Sequence, residues 1–508
     1  MKNIIKRCTG IILTAALACT ALAGCGSKET ASKEKPVLRV LMNNIKTDPN
    51  GYAVAKMLEE KTGYKVEYDM LPVDNPEEKL NIVLASQEPY DVIIIMGNLR
   101  NKFYDYAKQG ALMKLDDLIE EYAPNMKEKF RPETWEAMKV DDGYYGVVTA
   151  NGYQTDDEGN EKPDALASSL LMRTDLAEKC GITKMPETID EFTEMLRAIK
   201  AQDPAGNGDT NVPLTLTPED EISGLYGAFG LACEWEEIDG KLVNRVQNPR
   251  FKDYLMYLNG LYKEGLIDPE YPTNKSNTTL EKFTSGKAAV MPMYYWDAAT
   301  VEDALDKNVS DYSIDYIQPL SGKNGEYGYG YGASNINRIA VIPKAAEHPE
   351  DAMKWMNAKL DTEVFREMAI GVEGEHYNLK DGEYYPILPK FNDERSYAND
   401  FITGNDDYNY VDYWLARVRK DDRIYDFYKK LCSDEFLKLA VKNPDADKAI
   451  LAAQSNEAVL KNLVSDFSLQ VIVGAESIDN YDNFIKQWEE EGGKQLTEEI
   501  NEWYSTVN

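Results

Sequence analysis

The side chains able to carry chemistry in this chain are very unevenly represented. There are 88 acidic residues but only two histidines, His348 and His376. Paired carboxylates can hydrolyse glycosides when they lie about 5 Å apart, or somewhat further apart in an inverting enzyme. With 88 acids any pair can be proposed, so their abundance selects none. No HExxH, GxSxG or P-loop pattern occurs, which removes the commonest signatures of zinc, serine and nucleotide chemistry. Beyond the N-terminal segment the cysteines are Cys180, Cys233 and Cys432, an odd and sparse set that argues against a disulfide framework. Aromatic residues are the unusual resource: 33 tyrosines and seven tryptophans, several clustered beside glycines. Rings of this kind pack cores and cover acidic surfaces, and those near glycines or strand ends are candidates for a ligand site.

One loop has spacing suited to a hard cation. In DPAGNGDTN (203–211), Asp203, Asn207, the carbonyl of Asp209, and Asn211 fall on positions 1, 5, 7 and 9 of an EF-hand-type calcium loop. Ala205 fails at position 3 and Leu214 at position 12. Calcium takes six to eight oxygens, so the loop is short of ligands, and a plain Gly/Asn turn is the favoured reading over metal.

The elements that must position these residues begin with VLRVLM (37–42), apolar and β-rich. Asp48-Pro49 opens an amphipathic run from Tyr52 to Lys61 that Gly63 closes, and KVEYDM (65–70) alternates as a strand. A helix from Pro76 and a buried strand DVIIIM (91–96) follow. Strand–helix–strand–helix–strand at this spacing predicts an open α/β sheet with parallel strands, whose ligands lie beyond the carboxyl ends. That places Gly97-Asn98-Leu99-Arg100 at a ligand edge. Asp142-Gly143 signals a hairpin. The polar stretch 150–164 reads as a first crossover and an exposed loop, and Thr188 with Glu191 as a capping box. FTSGKAAVMPMYYWDAAT (283–300) reads as turn, strand and aromatic edge. In EYGYGYGASN, glycines separate Tyr327, Tyr329 and Tyr331, which allows backbone to approach a ligand or the strand to bend. Residues 371–385 read as a loop and hairpin, and the remainder as mostly helical.

The N-terminus carries a targeting signal. Lys2, Lys6 and Arg7 precede an apolar run from Ile11 to Ala23, too short for a stable span of roughly 20 residues. Leu22-Ala23-Gly24-Cys25 resembles the bacterial lipobox, which implies cleavage before Cys25 and lipid on that cysteine. GSKETASKEK after it reads as a flexible tether. Without residues 1–24, which hold three basic groups and no acid, 53 basic residues face 88 acids, a balance of −35. Such a body repels nucleic acid and anionic lipid.

The lipobox, PYDVIIIMGN (89–98), VDDGYYGVV (140–148), LLMRTDLAEKCGI (170–182) with PETIDEF and AIKAQDPAGNGD to 209, FTSGKAAVMPMYYWD (283–297), HPEDAMKWMN (348–357), GVEGEHYNL (371–379) and the tail 471–504 follow one another in a specific order. Together they resemble family 1 extracellular solute-binding lipoproteins of carbohydrate ABC importers, in the large oligosaccharide-binding branch common among Firmicutes. The resemblance implies an α/β, two-lobed fold of the periplasmic-binding-protein type II kind, with hinge crossovers and a helical C-terminal part. Its expected parts are a signal peptide 1–24, a lipidated tether 25–36, an N-lobe of 37–150 plus about 321–365, and a C-lobe of 151–320 plus about 366–508. It implies oligosaccharide capture without chemistry, delivery to permease subunits, a lipid anchor on the outer face of the cell membrane, and a monomer that requires no cofactor. Calcium in the DPxGNG loop of relatives keeps that metal in view here, although Ala205 and Val212 replace oxygen donors. A pyranose has an apolar C–H face and a hydroxyl rim, and suits a flat ring flanked by planar polar groups. Trp296 is the first candidate platform, with Trp135, Tyr153, Tyr295, Trp235 and Tyr331 behind it. Asn98, Arg100, Asn151, Asp297, Arg338 and Glu373 are the candidates for hydroxyls. A secreted glycan hydrolase and a transporter-independent glycan sensor are the competing readings.

Overall fold

The computed structural model describes residues 35–96, 99–150, 166–218, 223–331, 336–445 and 456–507. Pro36–Asn508 is one compact unit, and the expected lipidation site Cys25 lies outside the described residues.

The opening pattern folds as its periodicity predicts. Leu38–Met42, Val66–Met70 and Val92–Met96 are strands, with Leu38–Met42 central and parallel to both neighbours. Asp48 accepts a bond from the backbone N–H of Asn50 ahead of the helix Ala53–Thr62, and Gly63 ends that helix in the left-handed conformation. Two later strands complete the sheet. Ile336–Val341 runs antiparallel beside Val92–Met96, and Val147–Ala150 lies antiparallel outside it. The carboxyl ends of Leu38–Met42, Val92–Met96 and Val147–Ala150 therefore share one edge with the start of Ile336–Val341. At that edge the chain leaves after Ala150 and returns before Ile336.

The second sheet is ordered Ile314–Tyr316, Ser168–Arg173, Ala288–Tyr294, Val212–Leu214, and is mixed. Around it pack Ile189–Gln202 and Arg250–Lys263, and against these the C-terminal helices Glu457–Val473 and Tyr481–Trp488. Asn259 fixes one of those contacts by donating to the carbonyls of Val471 and Ile472 at 2.9 and 3.1 Å.

Several local expectations resolve differently. The Asp142-Gly143 hairpin is present, but Asp141, at φ 53°, and Asp142 make the turn while Gly143 pairs with Val140. Thr188 caps its helix through the N–H of Glu191 at 3.1 Å, and the Glu191 carboxylate reaches Glu187 N–H at 2.8 Å, one residue ahead of the cap. In the Gly–Tyr repeat, Tyr329 is buried, and Tyr329–Tyr331 pairs in parallel with Ala440–Lys442. A Cβ on Gly227 would lie 1.9 Å from the carbonyl oxygen of Gly328, so the close approach that glycine permits here is between two backbone segments.

Apolar side chains divide mainly between a core on the first sheet and two on the second. The first core draws on residues up to Ala416, including Phe365, Phe391, Phe401 and Tyr413, well beyond the expected return to the second lobe near 366. Val418, Ile424 and Leu431 then join a core built on the second sheet. The helix Tyr410–Val418 spans that change of allegiance.

Candidate functional site

The strand Ala288–Tyr294 ends opposite Ser168, the first residue of the strand that the chain builds after leaving the first sheet. Tyr295–Asp297 then winds into one 3-10 turn, which breaks strand alternation and turns successive rings to different surroundings. Tyr294 and Trp296 are 48% and 44% exposed and stack with centroids 4.6 Å apart and planes 14° apart. Tyr295 between them is buried, edge-on to Trp296 at 4.9 Å, and its hydroxyl accepts a 3.1 Å bond from Trp414 Nε1. Burial pushes that phenol up to about 12. Tyr295 is thus a support for Trp296 and offers no open face, whereas Tyr294, absent from the sequence-derived candidates, supplies the second exposed ring. Asp297 is reached by water, yet burial still raises its carboxyl above the usual value.

Polar groups gather at the carboxyl edge of the first sheet. Arg338, opposite Met96 and Thr149, donates from Nη2 to Asp400 Oδ1 at 2.9 Å. The same oxygen accepts from Asn43, the residue directly after the strand Leu38–Met42, at 3.0 Å. Buried around this pair are Asn43 Oδ1, Thr149 Oγ1, Arg338 Nε and Asn399 Oδ1, none with a hydrogen-bond partner among the described residues. Unspent polar atoms at a strand edge are what a hydroxylated ligand or ordered water would satisfy. Of this group only Arg338 was a sequence candidate. Asn43 could have been found as the residue closing the first strand, but Asp400 and Asn399 come from the 3-10 turn Ala398–Phe401, 62 and 61 positions after Arg338, with no local signal. The helix Tyr410–Val418 reaches the aromatic wall and the segment leading to Asn399 and Asp400: Trp414 holds Tyr295, and Arg417, three residues on, donates to the carbonyls of Arg395 and Ser396 at 2.7 and 2.6 Å.

The other candidates scatter. Trp235 is 1% exposed within the second core, in the strand Trp235–Ile238 paired with Lys241–Asn244, and is corrected from platform to core residue. Trp135 is half-buried against Phe130 and Tyr144, with centroids 5.5 and 5.3 Å away. Tyr331 is half-buried in its short strand. Glu373 sits exposed in the turn before the hairpin of Tyr377–Lys380 and Glu383–Pro386. Trp135 packs against the first core, whereas Tyr331 packs against the same core as Tyr295. Asn98, Asn151 and Tyr153 lie outside the described residues, and Arg100 opens the helix Arg100–Lys108.

The calcium loop is built as a turn. Both Asp203 oxygens are engaged by backbone N–H groups, of Asn207 at 2.8 Å and Gly208 at 2.7 Å. The amides of Asn207 and Asn211 donate to the carbonyls of Gly286 and Ile199 at 2.7 and 2.9 Å. Lys200 Nζ lies 2.6 Å from the carbonyl oxygen of Asn211, putting a cation where the metal's ninth-position ligand would be. Ala205 and Leu214 bring no side-chain oxygen to positions 3 and 12, and no group of three or more His, Cys, Asp or Glu among the described residues is arranged to hold an ion.

Beneath Trp135, Asp407 is buried and accepts from Arg131 N–H at 2.9 Å and the Thr134 hydroxyl at 2.7 Å. Burial pushes its carboxyl up to about 6, outweighing those bonds. The folded state then binds more protons than the unfolded chain between about pH 4 and 6, so stability falls as pH rises through that window. The expected loss is about 2–3 kcal/mol. Thermal melts across this range are expected to show that slope in the native protein and a flatter one in Asp407→Asn; equal slopes would remove Asp407 as its source.

The family of bacterial extracellular solute-binding proteins matches over residues 46–363. An uncharacterized protein encoded in the butB 5′ region of Niallia circulans is 42% identical over 256 residues, covering 50% of this chain and 99% of that one. Lipoprotein LipO of Bacillus subtilis is 26% identical across 96% of this chain and 97% of its own. The fructooligosaccharide ABC transporter substrate-binding protein FusA of Streptococcus pneumoniae is 26% identical over 69% of this chain and 68% of its own. The structure of FusA in complex with kestose superposes with a TM-score of 0.72 at 18% identity, covering 93% of this chain and 99% of that one, which shows the same two-lobed fold. An exposed aromatic wall, a polar strand edge, and this match over more than half its length place one conclusion beyond the fold: the chain belongs to the bacterial extracellular solute-binding protein family.

Proposed function

We propose that this protein captures an oligosaccharide between two lobes and hands it, chemically unchanged, to the permease of an ABC importer. The first lobe comprises residues 37–150 and about 336–416, and the second the intervening and following segments. The observation that carries the reading is the Tyr294–Trp296 stack, two rings left open to water at a strand end and braced from behind by Tyr295 and Trp414. An exposed pair of large rings is a costly surface unless an apolar face covers it, and a sugar ring presents one. The polar edge at Asn43, Arg338 and Asp400 supplies hydroxyl partners. The fructooligosaccharide specificity named for FusA supports the same ligand class. Lobes joined by crossovers interconvert between open and closed forms, and a ligand touching both favours closure.

A thermal-shift and calorimetric screen over plant, starch and host oligosaccharides tests the proposal. A saturable shift without product formation supports it, and cleavage of the glycan overturns it in favour of a hydrolase. Trp296→Ala is expected to weaken binding of the responding sugar by about 1–3 kcal/mol through lost aromatic contact, with an unchanged melting temperature. Calorimetry showing equal affinity would take Trp296 out of the site. The proposal also places the working protein as a monomer on the outer face of the cell membrane, held by acyl chains on Cys25. LipO, a lipoprotein, supports that placement. Cys25→Ser is expected to move the protein from the membrane fraction to the medium, and continued pelleting with membranes would refute the anchor.

A further inference from the structure

Among the described residues, the floor of the site carries more positive charge than its partners cancel. Asp400 is shared: Arg338 holds its Oδ1 at 2.9 Å, and the field of Asp400 also reaches Arg417. Arg417 spends both terminal nitrogens on the carbonyls of Arg395 and Ser396 and forms no ion pair within 4 Å among the described residues. Arg395, buried beside it, likewise donates to carbonyls, of Glu367 and Glu394, and its nearest carboxylate oxygen is 4.0 Å away on Glu394. That carboxylate is already committed to Lys390 and His376, both at 2.9 Å. Among the described residues, Arg338 and Arg417 therefore share one carboxylate, that of Asp400. This excess stands inside a chain whose formal charge is −32.

A neutral sugar does not require it. Ring stacking and uncharged amide or hydroxyl partners bind pyranoses adequately, and a desolvated guanidinium without a counter-ion lowers stability. Arg338 also retains binding capacity: of its five N–H groups one is used on Asp400, and buried Nε has no partner among the described residues. Resting on the saccharide-capture reading above, we propose that this floor selects an acidic saccharide, with the carboxylate of a uronic-acid unit received by Arg338 and its charge balanced by Arg417 behind. The planar guanidinium fork matches a carboxylate in geometry, and a charge-assisted bond in a desolvated site is stronger than a hydroxyl contact. Tyr294 and Trp296 would then cover the neighbouring ring, with Tyr410–Val418 setting the separation between charge and platform.

The test uses calorimetry on the native protein with trisaccharides of galacturonic, glucuronic and mannuronic acid, each beside its methyl ester, which keeps the ring and removes the charge. At least one acid is expected to bind about tenfold or more tightly than its ester, the difference one charge-assisted bond pair makes. Arg338→Gln is expected to bring that ratio to about one, weakening the acid far more than its ester. Asp400→Asn, which preserves shape and removes the competing negative charge, is expected to increase the ratio, and it tests the proposal even if Arg338→Gln fails to fold. Esters or neutral oligosaccharides binding as tightly as the acids would overturn the acidic specificity while leaving saccharide capture intact. No binding by any sugar, charged or neutral, would overturn both.

Discussion

Trp235→Ala is expected to lower stability by about 3–5 kcal/mol while leaving saccharide affinity unchanged. Trp235 is among the largest fully buried side chains, packed in the core that unites Ile189–Gln202, Arg250–Lys263 and the C-terminal helices. Removing its ring opens a cavity that neighbours such as Leu242, Val246 and Phe251 cannot fill without moving. The loss is read by denaturant unfolding, and affinity by calorimetry at a temperature where the variant is folded. The opposite pattern, intact stability with weakened binding, would return Trp235 to the ligand site and contradict its position in the core. Set beside Trp296→Ala, the variant separates the two jobs that a tryptophan does in this chain.

Asp400→Ala is expected to cost a comparable amount, about 3–5 kcal/mol, for an electrostatic reason. Arg338 and Asp400 are both largely withdrawn from water. Deleting the carboxylate leaves Arg338 and Arg417 with no anion to share among the described residues and takes from Asn43 the closer of its two acceptors. An exposed ion pair would contribute roughly 0–1 kcal/mol and weaken with salt. The burial of this pair predicts a larger loss that added salt does little to change. Asp400→Asn keeps an oxygen for Asn43 and Arg338 and should recover part of the loss. Unfolding midpoints for the two variants at low and high salt measure this. A destabilisation below about 1 kcal/mol that vanishes in salt would show that Asp400 behaves as a surface charge.

Much of the architecture was legible in order along the chain, because it depends on local chemistry. Alternating and continuous apolar runs marked Leu38–Met42, Val66–Met70 and Val92–Met96, and their spacing implied the parallel pairing that is observed. Gly63 and Thr188 end and begin helices through bonds within a few residues of themselves. The same locality makes the turn at Asp203 readable, since its carboxylate closes the loop on N–H groups four and five residues ahead. Lobe composition was less accessible. The segment from Phe365 to Ala416 packs on the first sheet, tens of residues after the strand Ile336–Val341 that returns the chain there, and nothing in its own periodicity names the sheet it will join.

What the sequence determined by itself was the family, the first parallel strands and a list of rings able to hold a sugar. Which of those rings face water was decided only by the tertiary structure. Tyr294, Tyr295 and Trp296 are consecutive and chemically alike, yet a 3-10 turn at the strand end leaves the first and third open and buries the second against Trp414. Likewise Asn43, Arg338 and Asp400 meet only because three distant segments converge on one sheet edge. Exposure and charge balance depend on what surrounds a side chain, and those surroundings are assembled from parts of the chain that local pattern does not relate.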